Sequence, residues 1–198
     1  MSIAVVDSGG ANISSVLHAL RRLGTEPEFT ADAGVIRAAD RVILPGVGAA
    51  GKAMDALRSH ALTEVITNLT QPVLGICLGM QLLFDSSAED ETKLLGLIPA
   101  RLELLPPEQG LRIPHMGWNA ISETRPDPLT STLDGKWFYF VHSYAAPVGD
   151  WTLSASRHGQ AFSAIVRRDN FYGAQFHPER SAQAGAELLR RFLEAPSK

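Results

Sequence analysis

Pro72-Val73-Leu74-Gly75-Ile76-Cys77-Leu78-Gly79 is the stretch on which the fold turns. The apolar run reads as a buried strand that ends in a sharp turn, with a helix from Met80 to Phe84 and onward starting directly behind it. Cys77 is the single cysteine of the chain and stands between Gly75 and Gly79. A G-x-nucleophile-x-G turn of this kind, a nucleophile elbow, pushes one side chain out at the end of a sheet. It also sets that side chain at a helix N-terminus, where the dipole favours a thiolate. A thiolate so placed is a candidate nucleophile and points to covalent catalysis. A lone cysteine is more often a small buried hydrophobe. The two glycines weigh against that reading, because a plain core strand has no use for both.

Outward from the elbow, the first half of the chain alternates strands and helices. A strand over 2–7 precedes a helix from about Asn12 to Leu23, with Ile13, Val16, Leu17 and Leu20 as its apolar stripe and Gly24 as its stop. Short strands are expected near 26–30 and over Arg41-Val42-Ile43-Leu44, and helices over 50–69. This alternation predicts an α/β fold, a mostly parallel central sheet flanked by helices. The second half differs. Residues 98–105, 112–122, 136–144, 151–157, 161–168 and 171–176 are short β-like runs broken by Pro, Gly and Asp. They are expected to form additional antiparallel β-hairpins packed on the sheet's edge. A helix over 181–194 closes the chain, with Gly185, Leu188, Leu189 and Phe192 on one stripe. No repeat, low-complexity segment or dividing linker interrupts the sequence, so residues 1–198 are expected to form a single domain. In open sheets of this kind, sites gather at the carboxyl ends of the parallel strands.

The 198 residues are 45% hydrophobic and 20% charged, an ordinary globular balance with enough chain for a substantial core. A net charge of −3 offers no basic stripe for nucleic acid. One cysteine makes neither an internal disulfide nor a Cys-pair zinc site, as suits a reducing cytoplasm. Met1-Ser2-Ile3-Ala4-Val5-Val6-Asp7 lacks a basic leader region and reads as a first strand rather than a signal peptide. The longest apolar stretch, near 72–84, is too short and interrupted to span a bilayer.

A nucleophilic thiol needs a base, a group that orients the base, and donors for the oxyanion. Among the six histidines, His18 and His60 fall on helices and read as surface residues, and His158 lies in a polar Arg-His-Gly-Gln turn. His177 ends the strand Tyr172-Gly173-Ala174-Gln175-Phe176 and stands two residues before Glu179. An isolated His-Pro-Glu is more often a strand-end cap. Paired with the elbow, it reads as a base with the carboxylate that orients it. Pro45-Gly46-Val47-Gly48 would by itself be a simple turn. Beside an elbow, its glycines let backbone N–H groups approach a substrate carbonyl, with the N–H of Leu78 as a second donor. Asp7-Ser8-Gly9-Gly10-Ala11-Asn12 lacks G-x-G-x-x-G, so a dinucleotide site is poorly supported. Asn12 also suits a helix N-cap.

Pro45-Gly46-Val47-Gly48, Gly75-Ile76-Cys77-Leu78-Gly79-Met80-Gln81 and Phe176-His177-Pro178-Glu179-Arg180-Ser181, in that order, resemble the three blocks of class I (triad) glutamine amidotransferases. Pro114-His115-Met116-Gly117-Trp118-Asn119, Tyr139-Phe140-Val141-His142-Ser143-Tyr144 and the N-terminal Gly-x-Asn loop narrow the likeness to the glutaminase subunits of imidazole glycerol phosphate synthase. The resemblance implies a flavodoxin-like sheet and a role for each matching position. Cys77 would attack the side-chain amide of glutamine, His177 would exchange the proton, and Glu179 would orient His177. Gly46, Val47 and Gly48 match the oxyanion strand. Gln81 matches a glutamine contact, Glu89 the acid that meets the α-amino group, and Ser143 and Tyr144 positions near the α-carboxylate. Asn12, Trp118, Tyr139 and Arg180 match interface or gate positions. The implied partner is a (β/α)8-barrel cyclase subunit, HisF, in a heterodimer. The ammonia it receives would serve synthesis of imidazole glycerol phosphate and aminoimidazole carboxamide ribonucleotide in histidine biosynthesis. No metal or organic cofactor is implied. Arg180 stands where many relatives have Lys, which adds a bidentate fork to any ion pair made there. The Ser8-Gly9-Gly10-Ala11-Asn12 loop also departs from the commoner variants.

Two rivals stay open at this point. Another triad amidotransferase, such as the glutaminase partner of pyridoxal phosphate synthase, runs the same chemistry for a different acceptor; the Pro-His-Met-Gly-Trp-Asn block argues against it. The other is a non-catalytic binding subunit or a thiol redox sensor on the same fold; a sensor could use Cys77 alone, but would have no use for His177, Glu179, Gln81 and the Pro-Gly-Val-Gly loop together.

Overall fold

The computed structural model describes residues 1–10, 13–107 and 109–195. Strand β1 (Ile3–Val6) leads to helix α1 (Ile13–Arg22), β2 (Pro27–Thr30) to α2 (Ala33–Ala38), and β3 (Arg41–Gly46) to α3 (Ala50–Ser59) and α4 (Thr63–Thr67). Helix α2 has no counterpart in the sequence reading. Its start is set by Asp32, whose carboxylate accepts from the N–H groups of Gly34 and Val35.

β4 (Val73–Cys77) runs into a single helical turn, α5 (Leu78–Gln81). The helix expected from Met80 through Phe84 and onward is a correction. α5 stops at Gln81, and Phe84 opens β5 (Phe84–Ser87), which pairs antiparallel with β6 (Thr92–Lys93) and parallel with β7 (Ile98–Leu104). Met80, Leu82, Leu83 and Phe84 are all fully buried, so the run carries no one-sided pattern to separate helix from strand.

The second half supplies β8 (His115–Ala120), β9 (Ser122–Glu123), β10 (Trp137–His142), β11 (Tyr144–Ala145), β12 (Thr152–His158), β13 (Gln160–Arg168), β14 (Phe171–Ala174) and the closing helix α6 (Ala182–Glu194). The main sheet has eight strands in the order β2-β1-β3-β4-β14-β13-β12-β9. Its first five strands are parallel. β12 and β13 were expected to pack on the edge; they extend the sheet itself by antiparallel pairing. β14 departs further, running parallel beside β4 with Gly173 opposite Gly75. β8 and β10 form a separate antiparallel pair.

Strand residues alternate between two cores. Ile3, Val5, Ile43, Leu74 and Ile76 pack under α1, α6 and the β8–β10 pair, against Val16, Leu20, Phe138, Phe140 and Leu188. Ala4, Val6, Val42, Leu44 and Val73 pack under α2 to α4, against Ile36, Met54, Leu57 and Ile66. With both faces covered, β1 and β4 read as continuous apolar runs, whereas the edge strand β2 does not. The glycines of the elbow belong to this packing: a Cβ on Gly79 would lie 1.7 Å from the Leu44 carbonyl oxygen, and one on Gly75 would lie 2.5 Å from that of Gly79. Among the described residues, no helix is long and apolar enough to cross a membrane.

Candidate active site

β4 and β14 are neighbouring parallel strands, so the chain leaves both at the same carboxyl edge. Cys77 follows one and His177 the other. Cys77 has φ 52° and ψ −110°, a conformation that costs a non-glycine residue energy and aims its side chain out of the turn. Because α5 is one turn long, the dipole at Cys77 is far smaller than a full helix would supply. The thiol is buried, with Sγ 3.7 Å from the Val141 carbonyl oxygen.

His177 is held on every side. Its N–H donates to the Tyr139 carbonyl at 2.9 Å, and its own carbonyl accepts from the Ser181 hydroxyl at 2.6 Å. Pro178 opens the short turn that brings Glu179 back beneath the ring, where Oε1 lies 2.8 Å from Nδ1. The Glu179 side chain is 2% exposed. Burial disfavours the imidazolium, but the nearby Cys77 sulfur and the Glu179 carboxylate outweigh it and push His177 up to about 10. A ring that keeps its proton at neutral pH can hand it to a leaving group.

Cys77 and His177 open onto a cavity of about 320 Å³, whose wall also includes Val47, Gly48, Leu78, Gln81, Glu89, Ser143 and Tyr144. Gly46 pairs with Cys77 in register, and Gly48, at φ +100°, needs the freedom of a glycine. The Leu78 N–H begins α5, where no intrahelical acceptor precedes it. The Glu89 carboxylate accepts from the Ala50 N–H at 2.7 Å and so caps α3 while lining the cavity. Gln81 donates to the Tyr144 carbonyl at 2.9 Å and to Gln175 Oε1 at 3.1 Å.

Gln175 was missed in the sequence. It is fully buried, and its Nε2 lies 4.0 Å from Cys77 Sγ. The available signal was an uncharged polar residue inside the apolar run Phe171–Phe176, two places before His177. His142 also lines the cavity and was likewise not singled out.

Three of the four positions expected at an interface come together on the outer face of the β8–β10 pair. Trp118 lies opposite Tyr139 in register, their ring centroids are 6.1 Å apart, and the Arg180 guanidinium sits 4.9 Å above the Tyr139 ring. Trp118 is 50% exposed, with Met116 and Trp137 exposed beside it, an apolar patch of the sort that marks a contact surface. The fourth, Asn12, lies outside the described residues. Among the described residues, no group of three or more His, Cys, Asp or Glu side chains is arranged to hold a metal ion.

A thiol, an imidazole and a carboxylate at the carboxyl edge of such a sheet suit a cysteine-based amide hydrolase, and the family model described as "Glutamine amidotransferase class-I" matches residues 4–195. A solved structure titled as a glutamine amidotransferase superposes with a TM-score of 0.74 at 19% identity, covering 97% of each chain, and shows the shared fold. Closer in sequence, the imidazole glycerol phosphate synthase subunit HisH of Idiomarina loihiensis is 50% identical over 194 residues, 98% of each chain. The Escherichia coli (strain K12) protein of the same name is 48% identical over 196 residues, 98% of this chain and 100% of its own length. The chain belongs to the class-I glutamine amidotransferases and, among them, to the HisH subunits.

Proposed function

We propose that residues 1–198 act as one glutaminase domain, which hydrolyses glutamine and passes the ammonia to a (β/α)8-barrel cyclase subunit, HisF, in the cytoplasm. The observation that carries this reading is the meeting of Cys77 with the His177–Glu179 pair, 2.8 Å between ring and carboxylate, at the wall of one cavity. Its relatives' names support a two-subunit synthase.

In this reading Cys77 gives its thiol proton to His177, and the resulting thiolate attacks the carboxamide carbon of glutamine. The negative oxygen of the tetrahedral adduct takes hydrogen bonds from the Leu78 N–H and from a backbone N–H of Gly46–Gly48. The His177 imidazolium donates its proton to the departing nitrogen, and ammonia leaves a γ-glutamyl thioester. Neutral His177 then takes a proton from water, the hydroxide attacks the thioester, and glutamate is released. Glu179 keeps the ring oriented throughout. Glu89 receives the α-ammonium of glutamine, and Ser143 and Tyr144 flank its carboxylate. Trp118, Tyr139 and Arg180 face the cyclase, where the ammonia serves formation of imidazole glycerol phosphate and aminoimidazole carboxamide ribonucleotide.

Glutamine hydrolysis measured with and without the cyclase subunit and its nucleotide substrate tests this reading. Slow hydrolysis by the free chain and a rate raised by the loaded partner are expected, since the two glycines let the 46–48 backbone turn either a carbonyl or an N–H towards the substrate. Rapid hydrolysis indifferent to partner and nucleotide would sink it.

A further inference from the structure

We propose that His115 and His142 are positioning residues of the glutaminase site: with Asn119 they form a hydrogen-bonded chain, each ring carrying its proton on Nδ1, that fixes the Tyr144 carbonyl and through it Gln81. The inference rests on the glutaminase reading of Cys77.

The chain is defined atom by atom. The Tyr144 carbonyl oxygen lies 2.9 Å from His142 Nδ1 and 2.9 Å from Gln81 Nε2. A carbonyl only accepts, so His142 must carry a proton on Nδ1. That leaves Nε2 of the neutral ring bare, and His115 Nδ1 stands 3.0 Å from it. His115 therefore donates from Nδ1, and its own Nε2 accepts. The group facing that nitrogen at 3.3 Å is Asn119 Nδ2, whose second hydrogen goes to the Arg157 carbonyl at 2.9 Å. Asn119 Oδ1 accepts from the Ala120 N–H at 2.9 Å, which fixes the amide's orientation. One assignment of protons satisfies every atom. Moving the proton of either ring sets two donors or two acceptors face to face.

Packing keeps the rings in this form. Both side chains are buried, and His115 is stacked between Phe140 at 4.9 Å and His158 at 4.2 Å. Burial pushes His142 down to about 3 and His115 to about 4, so neither ring is charged at neutral pH. Beyond Tyr144 the contacts run through Gln81 and Gln175 to Cys77 Sγ. Alternation along β8 puts His115 and Asn119 on the inner face and Trp118 on the outer one.

His115 is not part of the cavity wall, so its effect on glutamine must pass through His142. Two variants of the full chain, assayed in the complex with the cyclase, separate positioning from packing. His115→Phe fills the space but cannot donate; KM for glutamine should rise about tenfold with kcat little changed. His115→Asn keeps an N–H near the Nδ1 position; it should hold KM within about threefold while melting earlier, because it packs less well. KM values ordered by packing instead of by the donor overturn the proposal. Should a variant fail to fold, 15N NMR of the wild-type histidines decides: at pH 7 both rings should be neutral with the proton on Nδ1, and an Nε2–H or charged form of either ring overturns the chain. Protection of Cys77 from a glutamine-analogue electrophile by glutamine tests the glutaminase reading separately, since its loss in the wild type condemns that reading whatever the tautomers are.

Discussion

Around Cys77 the chain is apolar and spaced by glycines; across the cavity, the inner face of β8 and β10 sets His115, Asn119 and His142 beside the buried Phe138 and Phe140, and the outer face carries Trp118, Trp137 and Tyr139. The elbow takes its shape from exclusion. Leu44, Gly75 and Gly79 approach so closely that added atoms have no room. The β8–β10 pair takes its shape from direction, through hydrogen bonds that each need a donor and an acceptor in place. The first kind of order resists any gain in volume. The second tolerates a change of volume more readily than the loss of one proton donor.

The largest expected effect lies at the elbow. Cys77→Ala should lower glutamine-dependent synthesis by about 10⁴-fold or more in the complex with the cyclase, leaving synthesis from ammonium salts intact. Equal loss of both would mean that the elbow does not serve the chemistry at all. Gly79→Ala should cost about 3 kcal/mol of stability in urea unfolding, because the new methyl meets backbone that cannot yield. A variant as stable as the parent would break the steric half of the comparison. On the β8–β10 pair, Trp118→Ala should weaken association with the cyclase by about 2 kcal/mol, read by calorimetric titration, while the melting temperature of the free chain stays within a few degrees. A large drop in melting temperature would show the ring to be part of the core.

The smallest effect sharpens the boundary between the two regions. His177 is raised from its usual 6.5 to about 10, so the stability its pairing supplies is whole below about pH 6.5 and is lost as pH rises towards 10. The gap in stability between wild type and His177→Gln should therefore narrow between pH 7 and 10. A gap that stays constant would mean that the ring is not held as an imidazolium.

Legibility followed the same divide. The parallel half was readable because both faces of its strands are covered, which leaves unbroken runs such as Arg41–Leu44 and Val73–Cys77. Phe84 failed as a helix residue because total burial erases periodicity. The placement of β14 could not be read, since nothing in Phe171–Ala174 says which strand it will join; yet that pairing is what brings His177 to Cys77. The triad positions stood out by their fixed spacing from glycine and proline. Gln175 and His142 did not, because Gln81, which meets Gln175, and His115, which meets His142, are distant in sequence and reach them through folding alone.

Tyr139 has a consequence for how such a site can change over time. Its ring faces outward beneath Arg180, while its main-chain carbonyl and N–H seat His177 and Ser181. The seat depends on no atom of the ring. The outer surface can thus be retailored to a different partner, one side chain at a time, while the base stays where the chemistry needs it: recognition and turnover are written on the same residue but in separate, independently editable parts.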